Sequence, residues 1–179
     1  LTPTKEIENI ANSAQPEWKP TTKINHNPRD IRTQLYGLNE YGDLFTKRQL
    51  VALTTFSDLV QEARNKAILD ATSAGMNDDG MGIDAGGTGA TAYGDALAVY
   101  LAFAVDRLTD YNSSLVTWKA SGEQVMQTYK RQALPMAWDF PESNVLGDKS
   151  ICWLKAIKYT ADNLNACTKL NSLIPGTVF

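Results

Sequence analysis

The sequence predicts a mainly α protein, an irregular bundle of four to five helices with a proline-rich N-terminal arm and at most a short β-hairpin. Three observations predict it. Apolar residues recur at three- and four-residue spacing over long segments, helix-start signals stand at the heads of those segments, and only the brief run from Leu115 to Lys119 is β-branched and aromatic enough to be a strand. With 179 residues, 43% of them hydrophobic and 21% charged, the chain can bury a sizeable core and does not have a disordered or disulfide-stapled composition. We divide it into an arm, residues 1–45, and a helical lobe, residues 46–179.

Thr2 before Pro3 is an N-cap followed by proline at the first helical position, so a short helix should run through Ile7 and Ile10. Pro16, Pro20 and Pro28 then break the chain, while Trp18, Leu38, Tyr41, Leu44 and Phe45 give it enough apolar surface to lie along a body. Thr46 and Gln49 have the spacing of a capping box, in which hydroxyl and amide satisfy backbone groups of the first turn. A long helix follows, with Leu50, Leu53, Phe56, Val60, Ala63, Ala67 and Ala71 on one face and a stop near Gly75. Six glycines between Gly75 and Gly89 predict a mobile connector. From Thr91 to Asn112 the chain is apolar almost all round in its middle turns, as a central core helix would be, and Arg107 can pair with Asp110 at i, i+3. Leu115 to Lys119 reads as a hairpin arm or extended linker. Ser121 and Gln124 repeat the capping-box spacing, predicting a helix through Val125, Met126 and Tyr129 that Pro135 ends. A last helix from about Asp148 would carry Ile151, Leu154, Ile157, Ala161 and Leu164 on one stripe.

Seventeen Lys plus Arg against 20 Asp plus Glu leave a formal charge of -3, so any attraction for phosphate must be local. One histidine, His26, and two cysteines, Cys152 and Cys167, cannot complete a four-ligand zinc site alone, and we expect no bound metal. The cysteines should pack as small apolar groups. No signal peptide or membrane-length apolar run is present, which leads us to expect a cytoplasmic location; a start at Leu1 and an uncharged end lead us to expect a piece of a longer protein.

Candidate chemistry is sparse. Gly87, Gly89 and Ala92 fit the spacing G-x-G-x-x-A of a nucleotide loop, but such a loop needs a hydrophobic strand before it, and Met76 to Gly82 cannot be one. Asp106 and Asp110 could form a carboxylate pair on one helix face, although Arg107 between them makes a structural ion pair the simpler reading. No nucleophile stands beside a base, so we expect no catalytic residue. Basic groups occur as Lys47 with Arg48 and Lys130 with Arg131, with Arg107, Lys119, Lys155 and Lys158 elsewhere; Trp118 and Tyr129 lie near two of them. That mixture suits phosphate contact plus stacking on a base. Lys47 and Arg48 nevertheless stand at the electrostatically unfavourable end of a helix.

Three blocks carry a resemblance: YGLNEYGDLFTKRQLVALTTFSDLVQEAR from Tyr36, AYGDALAVYLAFAVDRLTDYNSSLVTW from Ala92, and RQALPMAWDFPESN from Arg131. In this order they resemble a DUF1156-type family of adenine-specific DNA methylases that also carry a zinc ribbon, over about Asn27 to Asn144. The resemblance implies a parent enzyme that transfers a methyl group from S-adenosylmethionine to adenine N6, as in restriction-modification. In it a glycine-rich cofactor motif precedes this stretch and a DPPY-type motif follows. This chain contains neither motif nor the zinc-ribbon cysteines, and it reads Asn144, Val145 and Leu146 where relatives tend to read N-P-F. It implies a helical accessory or target-recognition domain, inactive and without cofactor by itself, whose partners are DNA and the remainder of the methylase chain. Lys47, Arg48, Arg107, Asn112, Trp118, Lys130 and Arg131, polar or aromatic within the matching stretch, are its expected DNA contacts. The competing expectation is a structural or protein-interaction domain with no DNA contact.

Overall fold

The computed structural model describes residues 2, 4–28, 32–131, 133–134, 136–149 and 151–173, with backbone alone for 32 and 168–173. Its described residues form five α-helices and one two-stranded antiparallel hairpin, so the mainly α class with a short hairpin is what the chain adopts. The helices are α1 (Lys5–Asn12), α2 (Arg32–Leu35), α3 (Lys47–Ser73), α4 (Ala90–Asp110) and α5 (Trp153–Leu173). Strands β1 (Trp118–Lys119) and β2 (Gln124–Val125) fall between α4 and α5. Contacts divide the chain into two units, Leu1–Asp58 with Leu108–Val145, and Leu59–Arg107 with Leu146–Phe179.

In the first unit α1 is capped by Thr4, whose hydroxyl oxygen accepts the Ile7 N–H at 3.3 Å, rather than by Thr2; Pro3 lies outside the described residues. The arm is pinned by its backbone: Ile24 N–H donates to the Asn39 carbonyl, Tyr41 N–H to Thr22, and Gly42 N–H to Pro20. Gly42 has no side chain because a Cβ there would stand 2.5 Å from the Pro20 oxygen. Lys19 bridges Asp43 at 2.8 Å and Glu40 at 3.1 Å across the same segment. The Thr46–Gln49 box is made in both directions, with Thr46 N–H on Gln49 Oε1 at 2.8 Å and Gln49 N–H on Thr46 Oγ1 at 3.2 Å. Leu44, Leu50, Leu53, Phe56, Leu108, Leu115, Val116 and Val145 form this unit's apolar core.

Helix α3 ends in a Schellman motif, with left-handed Gly75 (φ 89°), Gly75 N–H on the Thr72 carbonyl and Met76 N–H on Ala71. The glycine-rich connector beyond it, expected as a permissive linker, is held by carboxylates. Asp78 accepts from Gly80 N–H, Thr91 N–H and the Thr91 hydroxyl; Asp79 accepts from Met81 and Thr88 N–H; Asp95 accepts from Ile83 N–H. Asp78 thereby caps the first turn of α4 from outside the helix. A Cβ at Gly87 would collide with the Met81 carbonyl, and one at Gly89 would stand 2.6 Å from the Asp78 Cα, so these glycines permit close chain crossings.

The expectation that α4 is buried all round is corrected. A Cβ at Gly94 would lie 2.5 Å from Ile68 Cγ1, so α3 and α4 approach closely there, and the Arg64–Asp95 pair at 2.6 Å clamps the contact. Close approach selects small groups inward: Ala90, Ala92 and Ala104 are buried, while Tyr93, Val99, Tyr100 and Phe103 stay exposed. The helix expected from Ser121 is also corrected. Ala120–Gly122 makes a single 3-10 turn and Glu123 sits at φ 45°, outside helical space, before β2 begins. Pro135, the expected stop, lies outside the described residues. Helix α5 starts at Trp153, five residues after Asp148, and buries Cys152 and Ala156 beside it while Cys167 is exposed.

Candidate nucleic-acid interface

The hairpin is rooted on the end of α4. A helix leaves its last carbonyls without intrahelical partners, and Asp110 resolves this by accepting Thr128 N–H at 2.7 Å and the Thr128 hydroxyl at 2.8 Å on its backbone oxygen. Its carboxylate accepts Tyr129 N–H at 2.9 Å. Buried Ser113 completes the root, sharing a 2.8 Å hydroxyl contact with Thr128 and accepting Leu115 N–H at 3.0 Å. Met126 N–H returns to the Thr117 carbonyl at 2.8 Å, which sets Trp118 opposite Val125 and Lys119 opposite Gln124.

This register leaves Trp118 56% exposed. Lys130 Nζ donates to Thr117 Oγ1 at 3.1 Å, bringing an ammonium group beside the strand that carries the indole. Lys119 and Arg131 are exposed in the same segment, whose residues 115–131 contain one carboxylate, Glu123. A local excess of positive charge thus stands in a chain that is acidic as a whole. Tyr129 belongs to the scaffold: burial first, then Tyr41 and the Asp110 carboxylate, push its phenol up to about 12.

Of the expected contacts, Trp118, Lys130 and Arg131 are exposed in this one segment, and the Lys130 ammonium is anchored on Thr117, the residue before Trp118. Lys119, next to Trp118 in the chain, is exposed as well. Lys47 is exposed at the start of α3, beside a hollow of about 550 Å³ lined also by Ile7, Ala11 and Thr46. Arg48 is engaged at 2.9 Å by Glu142, which also accepts the Thr46 hydroxyl at 3.2 Å. This carboxylate supplies the negative charge that the head of α3 favours, and offsets the misplaced cations there. Arg107 belongs to the second unit and stacks over the Tyr159 ring at 3.9 Å. Asn112 is corrected as a contact, because at 3% exposure it has no surface to offer a phosphate or base.

The G-x-G-x-x-A segment follows a 3-10 turn, Ile83–Ala85, and among the described residues the hairpin supplies the only strands. Among the same residues no group of three or more His, Cys, Asp or Glu is placed to hold a metal ion, and no helix is long and apolar enough to cross a membrane. Comparison with protein-family models, curated proteins and solved structures finds no match.

Proposed function

We propose that this chain is a helical accessory or target-recognition segment of an S-adenosylmethionine-dependent adenine-specific DNA methyltransferase, touching DNA but transferring no methyl group itself. The observation that carries the DNA contact is the hairpin segment: an exposed Trp118 and exposed Lys119, Lys130 and Arg131 within one stretch of chain, on a root fixed by Asp110, Ser113 and Thr128. Cations there would position phosphates, and the indole offers a face for a base. The methyl donor and the catalytic motif belong, on this reading, to the remainder of the parent chain. Fluorescence anisotropy of the 179-residue protein with labelled DNA at low salt tests it. Binding is expected, with a tenfold or greater loss in the double charge reversal Lys130→Glu, Arg131→Glu and a flatter salt dependence. Unchanged affinity in that variant would remove the assignment.

A second reading, a structural or protein-interaction domain, is favoured by the exposed apolar residues Tyr93, Val99, Tyr100 and Phe103 on α4. It predicts no DNA binding in the same titration.

A further inference from the structure

We propose that the groove between α4 and α5 binds a medium-chain alkyl carboxylate, its anionic head at Arg107 and its tail directed toward Tyr100 and Cys167. This stands independently of the DNA-contact reading, because every residue of the groove belongs to the second unit. The cavity holds about 280 Å³, and its surface is mostly apolar, supplied by Tyr100, Phe103, Tyr159 and Leu164. That is close to the lower end of small-ligand pockets, about 300–1,000 Å³. Close approach of α3 at Gly94 turns small residues of α4 inward, which leaves Tyr100, Phe103 and Arg107, at i, i+3 and i+7, on a face that α5 borders without filling.

The groove is polarised along its length. At one end the Arg107 guanidinium stacks on Tyr159, with Cζ 3.9 Å from the ring centre, and the stack holds the positive charge in place. Tyr100 on α4 and Cys167 on α5 each stand about two helical turns from that pair, so the apolar floor runs on for about 10 Å. An extended alkyl tail has that length, and a single aromatic ring does not. No Asp or Glu lines the groove: Asp106, Asp110 and Asp162 stand outside the lining, the last bridged to Lys158 at 2.7 Å. A carboxylate head therefore complements the lining. A second copy meeting it across a two-fold axis would bring the same lining, cation toward cation, so self-association is the poorer fit.

Cys152 is buried and Cys167 exposed, so the rate at which iodoacetamide labels Cys167 in the intact 179-residue chain reads occupancy of the groove. Octanoate is expected to slow labelling at concentrations about fivefold or more below those needed for octanol, and hexanoate should need about fivefold more than octanoate. Arg107→Gln should reduce octanoate to the level of octanol while octanol itself is unchanged, a split that a merely structural loss would not give. Phe103→Ser, at an exposed position, should weaken both. Octanoate no better than octanol, no slowing by octanoate, or slowing untouched by Phe103→Ser overturns the proposal. So does slowing that follows protein concentration alone, which would put a second copy in the groove.

Discussion

Asp110 does two jobs at one position. Its backbone oxygen closes the end of α4 through Thr128, and its carboxylate holds Tyr129 N–H, so the helix terminus and the hairpin root share one residue. The cost falls on Tyr129: the residue is 43% exposed, yet its phenolate would form at a partly desolvated oxygen near Tyr41 and that carboxylate, and its pKa accordingly rises from 10.0 to about 12. A folded pKa above the unfolded one means that the protonated phenol supports folding fully below pH 10 and that this support is lost as pH rises from 10 toward 12. Ultraviolet absorbance should therefore show one tyrosine titrating late, and Tyr129→Phe should remove both that late step and part of the alkaline loss of stability. An unshifted phenolate titration in the wild-type protein would contradict this environment.

At the scale of elements, two identical signals had opposite outcomes. Thr46 and Gln49 start a helix of 27 residues, whereas Ser121 and Gln124 stand in a turn and a strand. The first pair is followed by an apolar stripe that the first unit buries, Leu50, Leu53 and Phe56. After the second, Thr128 and Tyr129 give their N–H groups to Asp110, which draws the backbone away from an i to i-4 ladder. Capping spacing proposes a helix and burial of its stripe decides it. Because both bonds of the Thr46 box are made, Thr46→Ala should destabilise the protein by about 1 kcal/mol, read as a lower urea midpoint with an unchanged slope. The same change at Ser121 should have little effect, since no helix starts there.

Across the whole molecule, aspartates serve as backbone acceptors in both units. Lys19 and then the backbone of Glu40 hold the Asp43 carboxyl below 3.8; Thr91 does so for Asp78, and Arg64 followed by Ile83 N–H for Asp95. Depressed folded pKa values contribute stability above the unfolded value and lose it as pH falls through the folded ones, so acid unfolding should begin below pH 3.8. Lys19, raised above 10.5 by Asp43 and Glu40, acts in the other direction: its share is present below 10.5 and is lost as pH climbs through its folded value. Urea midpoints measured against pH should fall away at the acid end, and Asp78→Asn with Asp95→Asn should lower the neutral midpoint and shallow that fall. An acid limb unaffected by the double variant would show that the connector contributes nothing to it.

Helix class, the start of α3 at Thr46, its stop at Gly75 and the short hairpin were readable in the amino-acid order, because periodicity, capping and glycine punctuation act over a few residues. The adjacency of Trp118 and Lys119 is likewise a matter of chain order alone. The rest depended on distant partners. Ala92 and Ala104 turn inward on α4 and Tyr100 and Phe103 outward because Gly94 admits α3, a contact some 26 positions away at Ile68. Lys130 reaches Thr117, Arg48 is taken by Glu142, and Asn112 is buried, each through a fold-dependent neighbour or environment. Local rules determine which elements can form; only the tertiary structure decides which faces are covered, since burial is a property of the partner as much as of the residue.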